Sequence, residues 1–177
     1  MSAAVVVDGA MLSIYARDRN LQPDLKGLAK LAEAIAESPL EDRLWFDATT
    51  DAELNNFHFA AKGAGYQVKV NELVERSSEV DRSITVCRRK QVGVDVSLAL
   101  DTLEAHLAGT WNVLVLVACD GDFLPLLEKL RDYKVRLILL CDRAWTAKKL
   151  AQFADKVYDL SEVLGKVTRP RPRTRGR

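Results

Sequence analysis

The sequence is poor in the residues that zinc, thiol and phosphate-loop chemistry need. Its three cysteines, Cys87, Cys119 and Cys141, are an odd number without CxxC spacing. Two of them fall in apolar, strand-like runs, so they read as buried free thiols of a chain expected in the reducing cytoplasm. Only two histidines are present, and neither stands at a zinc-like spacing. His58 falls in an apolar helical pattern and His106 in a charged one, so both read as packing or surface residues rather than catalysts. There is no glycine-rich phosphate loop and no GxSxG nucleophile motif. No apolar run approaches the roughly 18–20 residues that span a bilayer, and no basic leader precedes Asp8. No membrane partner is expected. Internal repeats are lacking as well.

What is present is one domain's worth of chain with a lopsided charge. The 177 residues are 48% hydrophobic and 29% charged, a globular composition with room for a sizeable core. The net charge of +1 hides an asymmetry: Arg169, Arg171, Arg173, Arg175 and Arg177 crowd the last nine residues. Without those five arginines the rest holds 21 basic against 25 acidic residues, a net of −4. The Arg-Pro alternation cannot build a core and predicts a disordered arm over 168–177, after a folded domain over 1–167.

The folded part is organised around WNVLVLVACDGDF, residues 111–123. Val113 to Cys119 carry no charge and are mostly aliphatic, which predicts a strand buried on both faces of a parallel sheet. It stops at Asp120-Gly121-Asp122. A second short strand, AAVVV at residues 3–7, stops at Asp8-Gly9. Between these, the pattern predicts a helix over 10–18, another from Pro23-Asp24 to about Glu37, and a strand over 43–47. A helix over 52–62 capped by Thr50 or Asp51 and a strand over 66–70 follow. The polar stretch 71–90 predicts a loop or an edge hairpin, and 95–108 a helix ended by Gly109. Beyond the central strand come a helix over 123–133, a strand over 135–141, a helix over 145–153, a strand over 156–160 and a closing turn over 161–166. Such alternation predicts an α/β fold, a parallel sheet with helices on both faces.

Asp8 and Asp120 each end a buried strand, so in a parallel sheet both face the carboxyl edge, where open α/β sheets hold ligands. Asp122 lies two residues on, where capping the next helix would be its plain role. Asp95 starts the helix leading into the Asp120 strand, and a right-handed crossover returns that region toward the same edge, depending on how 71–94 run. Asp101 competes with it, but six helical residues separate the two by about 240° and about 9 Å of rise, so one ion would not take both directly. Asp95 is the better candidate. Clustered carboxylates repel unless they share a proton or a cation, and oxygen donors alone suit Mg²⁺ or Mn²⁺. Such an ion acts mainly on phosphate esters, acidifying a water and neutralising a leaving oxygen. Arg82, Arg88, Arg89 and Lys90 lie just before Asp95, and with Arg169, Arg171 and Arg173 of the tail they form a candidate grip on a phosphodiester backbone. A plain solvated loop is the alternative for 82–90.

VVVDGAML, KQVGVDVSLALDTLEAHL, VLVLVACDGDFLPLLEKLRDYKVRLILLC and AQFADKVYDLSEVL together resemble the NYN domain, of the LabA-like group within the PIN-like nuclease superfamily. The resemblance runs from about residue 3 to 165, and rests on the order and spacing of the blocks. It implies a PIN-like three-layer α/β/α sandwich with a mostly parallel central sheet. It also implies a metal-dependent ribonuclease that leaves a 5′-phosphate and a 3′-hydroxyl. Asp8, Asp95, Asp120 and Asp122 match the acidic positions expected to bind Mg²⁺ or Mn²⁺. Three positions depart: Met11 stands where the family usually has Asn, Ala118-Cys119 where it commonly has Ser-Gly, and Val92 where a basic residue often precedes the GVD, unless Lys90 substitutes.

The expected function is therefore hydrolysis of RNA phosphodiesters. A second reading is a catalytically weakened module that binds RNA or protein through the basic arm. A third, a phosphatase or Toprim-like enzyme, is disfavoured because Toprim-like sites want Glu after the first strand, where Asp8 stands. Exposed apolar surface near Trp145 would suit a homodimer.

Overall fold

The structure is a computed structural model that describes residues 1–50, 53–81, 84–91 and 93–171, with the backbone alone over 74–81 and 84–91. The elements run β1 (Ala3–Asp8), α1 (Gly9–Arg17), β2 (Leu21–Pro23), α2 (Leu25–Ala36), β3 (Leu40–Thr49), α3 (Asn56–Gly63), β4 (Gln67–Asp81) and β5 (Ile84–Gln91). They continue as α4 (Val94–Ala108), β6 (Val113–Val117), a 3₁₀ turn (Gly121–Phe123), α5 (Leu124–Asp132), β7 (Arg136–Cys141), α6 (Lys148–Phe153), β8 (Lys156–Asp159), α7 (Leu160–Val167) and β9 (Thr168–Pro170).

β1 and β6 are the apolar runs of the sequence. Every residue from Val113 to Val117 is buried, as are Ala3 to Val7, because both strands lie inside a sheet covered on both faces. The seven-stranded order is β5-β4-β3-β1-β6-β7-β8. All pairings are parallel except β4 with β5. From β1 the chain moves outward through β3 and β4, then crosses back to β6 and moves the other way through β7 and β8. Right-handed crossovers therefore put α2 and α3 on one face and α4 and α5 on the other. In accord with this, α2 packs on α7 and α4 on α5. The result is the mostly parallel α/β/α sandwich that the sequence implies.

Three expectations need correction. Asn55, not Thr50 or Asp51, caps α3: its Oδ1 accepts the Phe57 and His58 amides at 2.9 and 3.1 Å. Asp51 lies outside the described residues. The arm does not begin at 168, because Thr168–Pro170 pair antiparallel with Leu21–Pro23. Buried Thr168 donates to Leu164 O at 2.7 Å, and Arg171 Nε to Leu21 O at 2.9 Å. That two-stranded ribbon gives the backbone of a three-residue segment the partners it would otherwise lack. Finally, α6 starts at Lys148 rather than Trp145, for reasons that belong to the site.

The polar stretch 71–90 is the long hairpin of β4 and β5. β4 leaves β3 after Glu72, which pairs with Thr49, and then pairs only with β5. Its last nine residues thus run beyond the carboxyl edge of the sheet. β5 brings the chain back until Gln91 stands opposite Leu73. α4 begins three residues later, at that same edge.

Candidate active site

Neighbouring β1 and β6 are the strands from which the connections leave in opposite directions, so a crevice opens beyond their carboxyl ends. Asp8 ends β1 and Asp120 follows β6. Asp95 arrives from a segment distant in sequence. Gly93, with φ +75°, makes the left-handed turn from the hairpin into α4, which puts Asp95 in that helix's first turn. Asn71 of β4 ties the turn down by donating to Ser97 Oγ at 3.2 Å. Asp8, Asp95 and Asp120 all line one open cavity of about 560 Å³.

The carboxylates are oriented locally. Asp8 caps α1, its Oδ1 accepting the Met11 amide at 3.0 Å. Asp120 Oδ1 accepts the Asp122 amide at 2.9 Å, so Asp120 rather than Asp122 caps the 3₁₀ turn. Asp122 is exposed and does not line the cavity, although its charge acts on Asp95. Asp101 is elsewhere. It pairs with Lys69 at 3.4 Å and lines a different pocket, with Glu41 and Asp42.

Burial first, and then the charges of Asp95, Asp47 and Asp120, push the Asp8 carboxyl up to about 6 against the single amide bond from Met11. Asp95 is also raised, by burial and then by Asp120 and Asp122. Among the described residues no lysine or arginine pairs with any of the four. Negative charge is concentrated here without a protein counter-ion. Also among the described residues, no three His, Cys, Asp or Glu side chains form a group able to hold a metal ion. The donor set suits a hard cation bound through one or two carboxylates and several waters, which is how Mg²⁺ is commonly held.

Two features escape the sequence reading. Asp47, near the end of β3, adds its charge to the same edge. Its Oδ2 takes Nε2–H of fully buried His58 at 3.0 Å, while His58 Nδ1 accepts the Asn55 amide at 3.2 Å. The signal was there, since RLWFD is another apolar strand ending in aspartate. The other is the segment Trp145, Thr146 and Ala147, which forms a cavity wall. Trp145 N and Thr146 N both donate to Asp142 O, at 3.1 and 3.0 Å, and Ala147 N donates to Cys119 O at 3.1 Å. Those bonds clamp a turn where the sequence pattern suggests helix. Cys119 also lines the cavity, and burial raises its thiol pKa, which disfavours the nucleophilic thiolate.

Of the basic candidates, Arg169 and Arg171 are exposed on or beside the β2–β9 ribbon and do not line the cavity. Arg88, Arg89 and Lys90 lie on β5, opposite Arg76, Glu75 and Val74, with their side chains outside the described residues. Arg82 and Arg173 are outside them altogether.

Comparison with known proteins agrees with this architecture. A crystal structure of a Vibrio parahaemolyticus protein of unknown function superposes with a TM-score of 0.69 at 19% identity, over 95% of this chain and 96% of that one. At that identity it speaks for the fold alone. No curated protein matches. The profile of the NYN domain matches residues 2–161, which contain all four aspartates and every strand of the large sheet. The chain thus belongs to the NYN domain family of the PIN-like nuclease superfamily.

Proposed function

We propose that this chain is a metal-dependent ribonuclease that hydrolyses RNA phosphodiester bonds with Mg²⁺ or Mn²⁺ held directly or through waters by Asp8, Asp95 and Asp120. The observation that carries the reading is that carboxylates from positions 8, 95 and 120 line one open cavity at the crevice of the sheet, without a described cationic partner. When bound, a divalent cation neutralises phosphate charge and acidifies a water.

The protein's own groups do the rest. Asp8 and Asp120 each commit one oxygen to a backbone amide, so their carboxylates are held before any substrate arrives. Their second oxygens make no hydrogen bond among the described residues and remain for a cation or its waters. Asp95 faces the charges of Asp120 and Asp122, and Asp122, outside the cavity, strengthens the local field. Protons compete with the cation for Asp8, so the metal concentration needed for half-maximal activity is expected to fall as pH rises. Arg88, Arg89, Lys90, Arg169 and Arg171, with Arg82 and Arg173, are the proposed backbone contacts.

A second reading is favoured by one specific observation. Met11 and Cys119 line the cavity where the resembled pattern has Asn and Gly, and Ala118 replaces a hydroxyl. Losing polar support around metal ligands often costs roughly 10–100-fold in affinity or activity, which would leave a binding module. Labelled single-stranded and structured RNAs incubated with Mn²⁺, with and without EDTA, separate the two. Cleavage that EDTA stops and that Asp8→Asn and Asp120→Asn abolish supports the nuclease. Cleavage at the wild-type rate by either variant would sink the assignment.

A further inference from the structure

Of three tryptophans, Trp45 and Trp111 are buried, while Trp145 is 49% exposed on the wall of the carboxylate cavity. Ile14, 41% exposed, lines the same cavity. The cavity is therefore lined by two unlike kinds of side chain, aspartates and exposed apolar groups.

The indole is not loose. It meets the ring of buried Tyr15 in a T-shaped contact, with centroids 5.9 Å apart and planes at 82°. The Arg19 guanidinium stacks on Tyr15 at 3.7 Å and pairs with Asp142 at 3.6 Å. Asp142 O accepts the Trp145 and Thr146 amides, and Cys119 O accepts that of Ala147. Gly121 is what lets the segment close down, since a Cβ there would stand 2.9 Å from Ala147 Cβ. The turn carrying the indole is thus fastened to the strand end carrying Asp120.

We propose that Trp145 is a stacking platform for an unpaired base of single-stranded RNA, positioning the adjoining phosphate over the aspartates. This deepens the nuclease reading and rests on it. An apolar protein side chain brought here would desolvate three carboxylates and offer them nothing. A nucleotide instead carries a flat π-face for the indole and an anionic group that joins the carboxylates through a cation. A paired base inside a duplex has no free face to offer, so the platform selects single strands.

The test uses the full chain in Mg²⁺ with a cleavage-resistant phosphorothioate RNA octamer of adenylates, and an abasic octamer of the same backbone. With the other two tryptophans buried, a stacked base quenches Trp145 fluorescence, and the abasic octamer does not. Trp145→Ala weakens octamer binding about ten-fold, whereas Trp145→Phe stays within about three-fold of wild type. Equal affinity of Trp145→Ala and wild type, equal quenching by the abasic octamer, or no octamer binding each overturns the platform. So does a sedimentation shift from dimer to monomer in Trp145→Ala with RNA affinity unchanged, which would make Trp145 a contact with a second copy. The separate cleavage assay keeps the two proposals distinguishable. Base-dependent quenching without any cleavage would remove the nuclease and leave the platform, and cleavage without quenching the reverse.

Discussion

Asp8 joins stability and function in one side chain. Its folded carboxyl titrates near 6, while an unfolded aspartate titrates near 3.9. The folded state therefore holds the extra proton between those values. The cost of the charged form is absent below about pH 4, grows as pH rises through 6, and is complete above it. Two units correspond to about 2–3 kcal/mol. Asp8→Asn should accordingly raise the melting temperature in EDTA at pH 8 by about 4–10 °C and leave it unchanged at pH 4. An amide oxygen can still cap α1, so the gain is not offset by a lost cap. Saturating Mn²⁺ should stabilise the wild type at pH 7.5 by about 2–3 kcal/mol at a hundredfold excess over Kd, and Asp8→Asn much less. Equal Mn²⁺ shifts in both proteins would mean that the ion binds somewhere else.

The β4–β5 hairpin is the element on which Asp95 depends. The sequence left it open between a loop and an edge hairpin, because a polar stretch carries no apolar alternation from which to read a strand, and the backbone is that of the hairpin. What it does is carry the chain past the carboxyl edge and return it there. Gly93 completes the return at φ +75°, where a Cβ costs about 1–2 kcal/mol. Gly93→Ala should lower denaturant stability by about that amount. It should also shrink the Mn²⁺-induced shift, because Asp95 moves with the helix start; an unchanged shift would detach Asp95 from the metal. The Trp145 turn was mistaken for helix for a related reason. Its residues are compatible with helix, and Trp145 and Thr146 bond back to Asp142 O as in a helical turn, but the Cys119 carbonyl, from another strand end, claims the Ala147 amide.

For the whole molecule, the ribbon of β2 and β9 decides where the chain can be cut. Ending it after Arg171 keeps β9 and removes Arg173, Arg175 and Arg177. That protein should melt like the full chain and retain cleavage. Its RNA affinity should weaken and its salt dependence flatten by up to about one unit of slope per lost phosphate contact. Ending it at Val167 also removes the partner strand of β2, and should lower the melting temperature measurably. Unchanged salt dependence in the shorter tail would show that its arginines do not touch the backbone. No helix among the described residues is long and apolar enough to cross a membrane.

The sequence by itself determined the strands that are buried on both faces, their aspartate ends and so the edge at which a site would form. Apolar runs have one low-energy place in an α/β fold, and a carboxylate that ends such a run must lie at the sheet's rim. The sequence also favoured Asp95 over Asp101, but only the tertiary structure decided how the chain brings Asp95 to that rim, that Asp47 adds its charge there, and that Trp145 lines the same cavity. Those outcomes depend on where a hairpin turns and on the distant Cys119 carbonyl that captures the Ala147 amide, and contacts between residues far apart in the chain leave no periodic trace along it.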